Sequence, residues 1–434
     1  MKKVFDEESR LEKMLKVEAA LARALASTGA IPKTDADAIN AAATIKNVSV
    51  EKVAKLEEEV RHDVMALVKA LAQSAGASGR FVHMGATSND IIDTATALQL
   101  KEAVGIIRED LFSLRDVLVR LANRYKATVM IGRTHGQSAI PLTFGLKMAV
   151  FAGEIQRHIE RLSQAEPRIC VGKMSGAVGT GAAFGVKALE VQELVMKELG
   201  LQAEFAATQV VGRDRYAELV FILASVASSL EKFATEIRNL QRSEIKEVAE
   251  SFDIDRQVGS STMANKQNPI TCENICGLAR IVRSYVTPAL ENMPLWHERD
   301  LTNSSAERFI LPHACILADD IIVKMASVFS SLRVYPENMK ANIERTNGQV
   351  MAESVMIALT RKGMNRQDAH ELLRKAAIEA EAKKLHLKQV LEKNRMVSRH
   401  LTKKELTDAM NPYRYIGAAK EIVENVTAEA RKQI

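Results

Sequence analysis

The stretch ALQLKEAVGIIREDLFSLRDVLVRL, residues 97–121, decides the fold class. Its apolar positions Ala97, Leu100, Val104, Ile107, Leu111, Leu114, Leu118 and Leu121 alternate spacings of three and four, which makes a heptad seam along one long helix. A second seam runs through Leu219, Leu223, Val226, Leu230, Phe233, Ile237 and Leu240, and a looser third through Phe144, Met148, Phe151, Ile155 and Leu162. Such stripes are hidden only when several helices lie side by side, so the middle of the chain is expected to be an elongated helix bundle. Stripes of this kind also join identical subunits, and a homo-oligomer is expected.

Composition agrees with an all-α chain. Among 434 residues, hydrophobic types make up 47% but aromatics only 4%, and there are 9 prolines, a balance that favours long helices over sheets. A chain of this length is expected to hold two or three domains. No run approaches the ~18 apolar residues of a membrane span. The start MKKVFDEESR mixes charges where a signal peptide would be apolar, so a cytoplasmic location is expected. The net charge of +6 is dispersed, with no block of five like charges, which argues against a nucleic-acid-binding tail and leaves room for a locally basic pocket for a small anion. Cys170, Cys272, Cys276 and Cys315 form no CxxC pair and are expected to be reduced thiols. Cys272 and Cys276 lie one turn apart, but without a His pair at ligand spacing no metal is expected.

Polar islands interrupt the helical pattern. Residues 4–30 read as a helix ending at Gly29 with Pro32 beyond, and residues 50–75 as a second helix containing Arg61, His62 and Asp63. FVHMGATSNDIIDT, 81–94, crowds His83, Thr87, Ser88, Asn89 and Asp90 into eight positions, which suits a ligand-facing turn as well as a simple helix cap. MIGRTHGQSAIPLT, 130–143, reads as an irregular stretch with Arg133, Thr134, His135 and Gln137 between helices. GKMSGAVGTGAAFG, 172–185, is rich in glycine but lacks the GK[ST] ending of a phosphate loop. GSSTMANKQNPITCEN, 259–274, combines a glycine hinge, hydroxyls, Lys266, Asn268 and a helix-starting Pro269, and reads as an active-site loop. With VYPENM, 334–339, as a boundary, the expected domains are an N-terminal helical domain 1–90, a central long-helix bundle 91–336 and a C-terminal helical domain 337–434.

Three of these islands, TSNDIIDT at 87–94, GRTHGQSAIP at 132–141 and GSSTMANKQNP at 259–269, resemble the fumarase/aspartase superfamily in sequence and in order. LWHERDLTNSSAER at 295–308, SGAVGT at 175–180 and YPENM at 335–339 are similar to the branch that cleaves adenylosuccinate. The resemblance implies a homotetramer around a twenty-helix core, with each active site assembled from three subunits. It implies fumarate elimination from adenylosuccinate to give AMP, and from the succinylated aminoimidazole carboxamide ribotide of purine biosynthesis, without metal or organic cofactor.

Carried over by that resemblance, Ser260 is the base, with Ser261 as its adjacent rival. A serine works as a base only when held near positive charge in a water-poor site. His135 is the general acid, apt because histidine ordinarily titrates near pH ~6.5, and Glu273 orients it. Thr87, Ser88, Lys266 and Asn268 match contacts to the succinyl carboxylates, and Thr134 and Gln209 further substrate contacts. His62 matches a residue near the phosphate, His83 one beside the nucleotide, and Arg299, Ser304 and Arg308 nucleotide-side residues. Arginine suits phosphate because its planar fork donates two hydrogen bonds at once. Two departures stand out. Met263 is followed by Ala264 and Asn265 where the family loop reads Met-Pro-x-Lys. The Arg-Tyr pair that helps to bind phosphate near the amino terminus is missing, so either the start is truncated or another basic residue substitutes.

Overall fold

The computed structural model describes residues 1–252, 262–263 and 265–432. The expected all-α class holds: the described residues form eighteen α-helices, five short 3-10 segments and three two-stranded ladders. Every position of the second and third seams is buried, and so is the first from Ala97 to Leu118. No helix of the described residues is long and apolar enough to cross a membrane.

The chain divides into two compact units, one comprising 1–111, 157–230 and 277–323, the other 112–156, 231–276 and 324–434. In the first unit, the helix Glu7–Ser27 starts at Asp6, whose side chain accepts from the Ser9 N–H at 2.7 Å. It buries Leu11, Leu15, Leu21 and Leu25 and packs on the helices Lys33–Ala42 and Ala188–Leu199. The single helix expected over 50–75 is two, Val50–Val60 and Asp63–Ser74. Arg61 ends the first in the left-handed region with φ 52°, and His62 caps the second, Nδ1 accepting from the Met65 N–H at 3.4 Å. A cap drawn from a histidine leaves no trace in hydrophobic periodicity, which explains the misreading. In the same unit Asp110 is half-buried, and its inaccessible Oδ2 has no hydrogen-bond partner. Burial, and then the neighbouring carboxyl of Asp319, push the Asp110 pKa up to about 7.

In the second unit, the segment expected to be irregular is an antiparallel hairpin, Val129–Thr134 with Gln137–Thr143. Its start, Val-Met-Ile, buries all three side chains, and Pro141 fits because a two-stranded ladder is all edge. Val129 and Ile131 join a core with Ile343, Val355, Leu359, Leu373, Leu387 and Leu391 from the C-terminal helices. Phe151 and Phe233 stack at 4.1 Å between centroids, with Phe329 packed edgewise against Phe233.

Candidate active site

Residues of the first unit surround a cleft of about 1010 Å³. Its wall includes His62, Ser88, Arg299, Ser304 and Arg308, five of the residues carried over from the resemblance. Two long helices begin there, Ser88–Arg124 and Ser304–Ser330, and the free N–H groups of a helix start favour anions.

The turn before the first helix is pinned by one buried carboxylate. Asp90 accepts from the Thr87 N–H at 2.8 Å, from Ser175 N–H at 2.9 Å and from Gly176 N–H at 3.0 Å, and pairs with Lys173, both side chains wholly buried. Thr87 and Ser88 are thereby fixed without using their own side chains. In the cleft wall itself, Arg213 donates to Asp93 at 2.8 Å and to Glu307 at 2.9 Å, and Asn303 donates to Glu307 at 2.8 Å. Burial opposes the Arg213 charge, yet the Asp93 carboxylate and its neighbours outweigh it and raise its pKa.

At the cleft mouth two guanidiniums share one carboxylate: Asp63 lies 3.6 Å from Arg10 and 3.2 Å from Arg308. Burial, and then the Arg308 charge, lower the Arg10 pKa. Arg10, Asp63 and Asn89 line the cleft but were not assigned to it from sequence. Asn89 stood in the crowded 87–90 cluster and Asp63 beside His62, whereas Arg10 is one polar residue on an amphipathic helix and carries no signal. Gln209 and Arg299, 90 residues apart, pair directly at 2.8 Å, and Gln209 also donates to the Ala177 carbonyl at 2.9 Å. His83 lies just upstream of the Thr87 turn, its ring against Glu18.

The second unit carries the residues assigned to the chemistry. His135 and Gly136 are the two central residues of the hairpin turn, with φ 53° and 74°, the paired positive values of a tight hairpin connection. Thr134 and His135 are exposed at its tip. Two residues back, Arg133 forms a bidentate pair with the fully buried Glu247 at 2.9 and 2.8 Å, and Asn342 donates to the same carboxylate at 2.8 Å. The helix Ile270–Ser284 that carries Glu273 is capped by Glu250, which accepts from Cys272 N–H at 2.7 Å and Thr271 N–H at 3.2 Å. Lys266 and Glu273 are exposed, Asn268 half-buried. Among the described residues, His135 and Glu273 make no hydrogen bond or ion pair with each other. Ser260, Ser261 and Ala264 lie outside the described residues. No group of three or more His, Cys, Asp or Glu suited to a metal occurs among the described residues.

The family described as "Lyase" matches residues 1–283, and the one described as "Adenylosuccinate lyase C-terminus" matches 348–426. The adenylosuccinate lyase of Pyrococcus abyssi is 53% identical over 98% of this chain and 94% of its own length. That of Methanocaldococcus jannaschii is 50% identical over 98% and 92%. The chain belongs to the adenylosuccinate lyase family. Among solved structures, a fumarate lyase from Mesorhizobium sp. BNC1 superposes with a TM-score of 0.91 at 35% identity, over 98% of this chain and 96% of that one. The 3-carboxy-cis,cis-muconate lactonizing enzyme of Pseudomonas putida follows with a TM-score of 0.89 at 34% identity, over 99% and 96%.

Proposed function

We propose that this chain removes fumarate from adenylosuccinate to give AMP, and likewise from the succinylated aminoimidazole carboxamide ribotide of purine biosynthesis. One observation supports the reading most: His62, Ser88, Arg299, Ser304 and Arg308, from three distant parts of the sequence, line a single cleft. The identity of 53% to a relative named for that substrate accords with it.

The reaction is a β-elimination. A base takes a proton from the carbon beside a carboxylate of the succinyl group, and the electron pair is held on that carboxylate. The C–N bond then breaks, the departing nitrogen receives a proton from an acid, and fumarate leaves. Ser260 is assigned as base, with Ser261 as its alternative, His135 as acid, and Glu273 as the carboxylate that orients His135. The helix start at Thr87 and Ser88 receives the succinyl carboxylates together with Lys266 and Asn268. His62, His83, Arg299, Ser304 and Arg308 receive the nucleotide, and Thr134 and Gln209 complete the contacts. Arg10, sharing Asp63 with Arg308, adds a second guanidinium for phosphate. No metal or organic cofactor takes part.

A homotetramer with active sites shared between subunits goes with this reading. Its support is the exposure of His135, Lys266 and Glu273 in one chain. Exposed apolar residues on long helices, Val150, Phe221, Ile281 and Val323, offer faces for subunit packing. The three-domain division at 90/91 and 336/337 is part of the proposal. The deciding measurement is fumarate release, followed by ultraviolet absorbance, from adenylosuccinate and argininosuccinate side by side. Ser260→Ala and His135→Ala are each expected to lower kcat by on the order of 100-fold while size-exclusion chromatography still reports a tetramer. Normal turnover in both variants would overturn the assigned roles, and release from argininosuccinate alone would overturn the substrate.

A further inference from the structure

We propose that Glu18 is a positioning residue: its carboxylate fixes the ring of His83 so that Nε2, as an N–H donor, is left for an anionic group of the substrate. The proposal rests on the reading of His83 as a residue that touches substrate.

Glu18 sits in the helix Glu7–Ser27, 1% exposed, between Val17 and Ala19, which are equally buried. A carboxylate is costly to bury unless its oxygens are satisfied, so one in an apolar stripe calls for a reason. Both oxygens go to one residue. The His83 backbone N–H donates to Oε2 at 3.1 Å, and His83 Nδ1 lies 2.6 Å from Oε1. One carboxylate thus fixes backbone and ring together across 65 residues of sequence. It fixes a backbone that needs fixing, because His83 has φ 62° in the left-handed region.

The grip also decides the ring's chemistry. With Nδ1 directed at a carboxylate, Nδ1 carries a proton, and Nε2 donates only when the ring is the imidazolium. Burial, the largest influence, opposes that charge, but the Glu18 hydrogen bond and charge, with Asp90 behind them, raise the His83 pKa above its ordinary value. Glu18 and Asp90 are the charged groups that act on the ring. Nε2 makes no hydrogen bond among the described residues, and the side chain is 14% exposed. The ring's second nitrogen is thus unengaged by the described residues, in a segment that ends four residues later at Thr87.

The test compares the full-length wild type, Glu18→Gln and His83→Gln for KM and kcat with adenylosuccinate between pH 6 and pH 8. Glutamine keeps the shape but offers one acceptor and no charge. In Glu18→Gln, KM is expected to rise about tenfold at pH 8, the scale of one lost hydrogen bond to a charged group, and to recover toward wild type at pH 6, with kcat within about twofold throughout. His83→Gln is expected to raise KM at both pH values with no recovery in acid. A KM for Glu18→Gln that matches wild type at both pH values, while His83→Gln is impaired, overturns the positioning role and leaves the reading of His83 standing. An unimpaired His83→Gln overturns that reading and the proposal with it. If Glu18→Gln does not fold, Glu18→Asp, which keeps the charge but withdraws it by one methylene, replaces it. A smaller KM rise at pH 8 supports the proposal, and an unchanged KM overturns it.

Discussion

The turn at Thr87–Ser88 and the hairpin tip at Thr134–His135 are held by the same device and presented in opposite ways. Each is anchored by a wholly buried carboxylate, Asp90 in the first unit and Glu247 in the second. Asp90 anchors the turn itself, through the Thr87 N–H, and the turn opens on a cleft wall. Glu247 anchors the strand before the tip, through Arg133, and leaves the tip to solvent. On the proposed function, the first arrangement is the binding part of a site and the second is a reactive group held out at an exposed hairpin tip. Under that proposal binding and chemistry rest on separate supports, and lesions in the two supports should separate KM from kcat.

The largest effect is expected from Lys173→Met, which leaves Asp90 charged and uncompensated in the interior. Breaking a buried pair in this way costs about 3–5 kcal/mol, read as a fall in denaturation midpoint, and the surviving enzyme should show a raised KM. A fall in kcat with KM intact would break the comparison. Next comes Glu247→Gln, which removes a charge-assisted fork from Arg133 and costs about 2 kcal/mol. Here kcat should fall about tenfold with KM steady, and the reverse pattern would show that the hairpin binds instead of reacting. Asp110 shows what a half-buried carboxyl does when its nearest charged neighbour is another carboxyl, Asp319. Its pKa in the fold is raised from 3.8 to about 7, so its contribution is fully present below pH ~4 and is lost as pH rises through about 7. Asp110→Asn should therefore stabilise the protein at pH 8 by about 1 kcal/mol, after allowance for solvent screening of a half-buried group and for its sharing with Asp319. A melting series from pH 4 to pH 8 checks this, and an unchanged slope would sink it. The smallest effect is expected from Gly136→Ala. A left-handed alanine costs about 1 kcal/mol, and with His135 still at the tip kcat should fall by only about twofold.

The long helices were legible because repeated apolar spacing is a local signal, and Leu100, Val104, Ile107, Leu223 and Phe233 lie where the seams put them. The residues that shape the site were legible in part, through motif resemblance at His62, Ser88, Arg299, Ser304 and Arg308. Their supports were not. Asp90 and Lys173 are 83 residues apart and Arg133 and Glu247 are 114 apart, and a charged residue read alone looks like solvated surface. The hairpin escaped notice because its positive-φ turn uses His135 before Gly136, where the familiar signal is Asn-Gly or Asp-Gly.

The exposed tip has a genetic consequence. If the arm of one subunit serves the cleft of another, a chain with a damaged cleft still lends a sound His135, and a chain with a damaged His135 still lends a sound cleft. Two inactive alleles, Ser88→Ala and His135→Ala, expressed together, would then yield mixed assemblies in which a minority of sites draw every part from the healthy half of each parent. Neither allele would be a simple null, and each would also spoil sites in assemblies shared with wild-type chains.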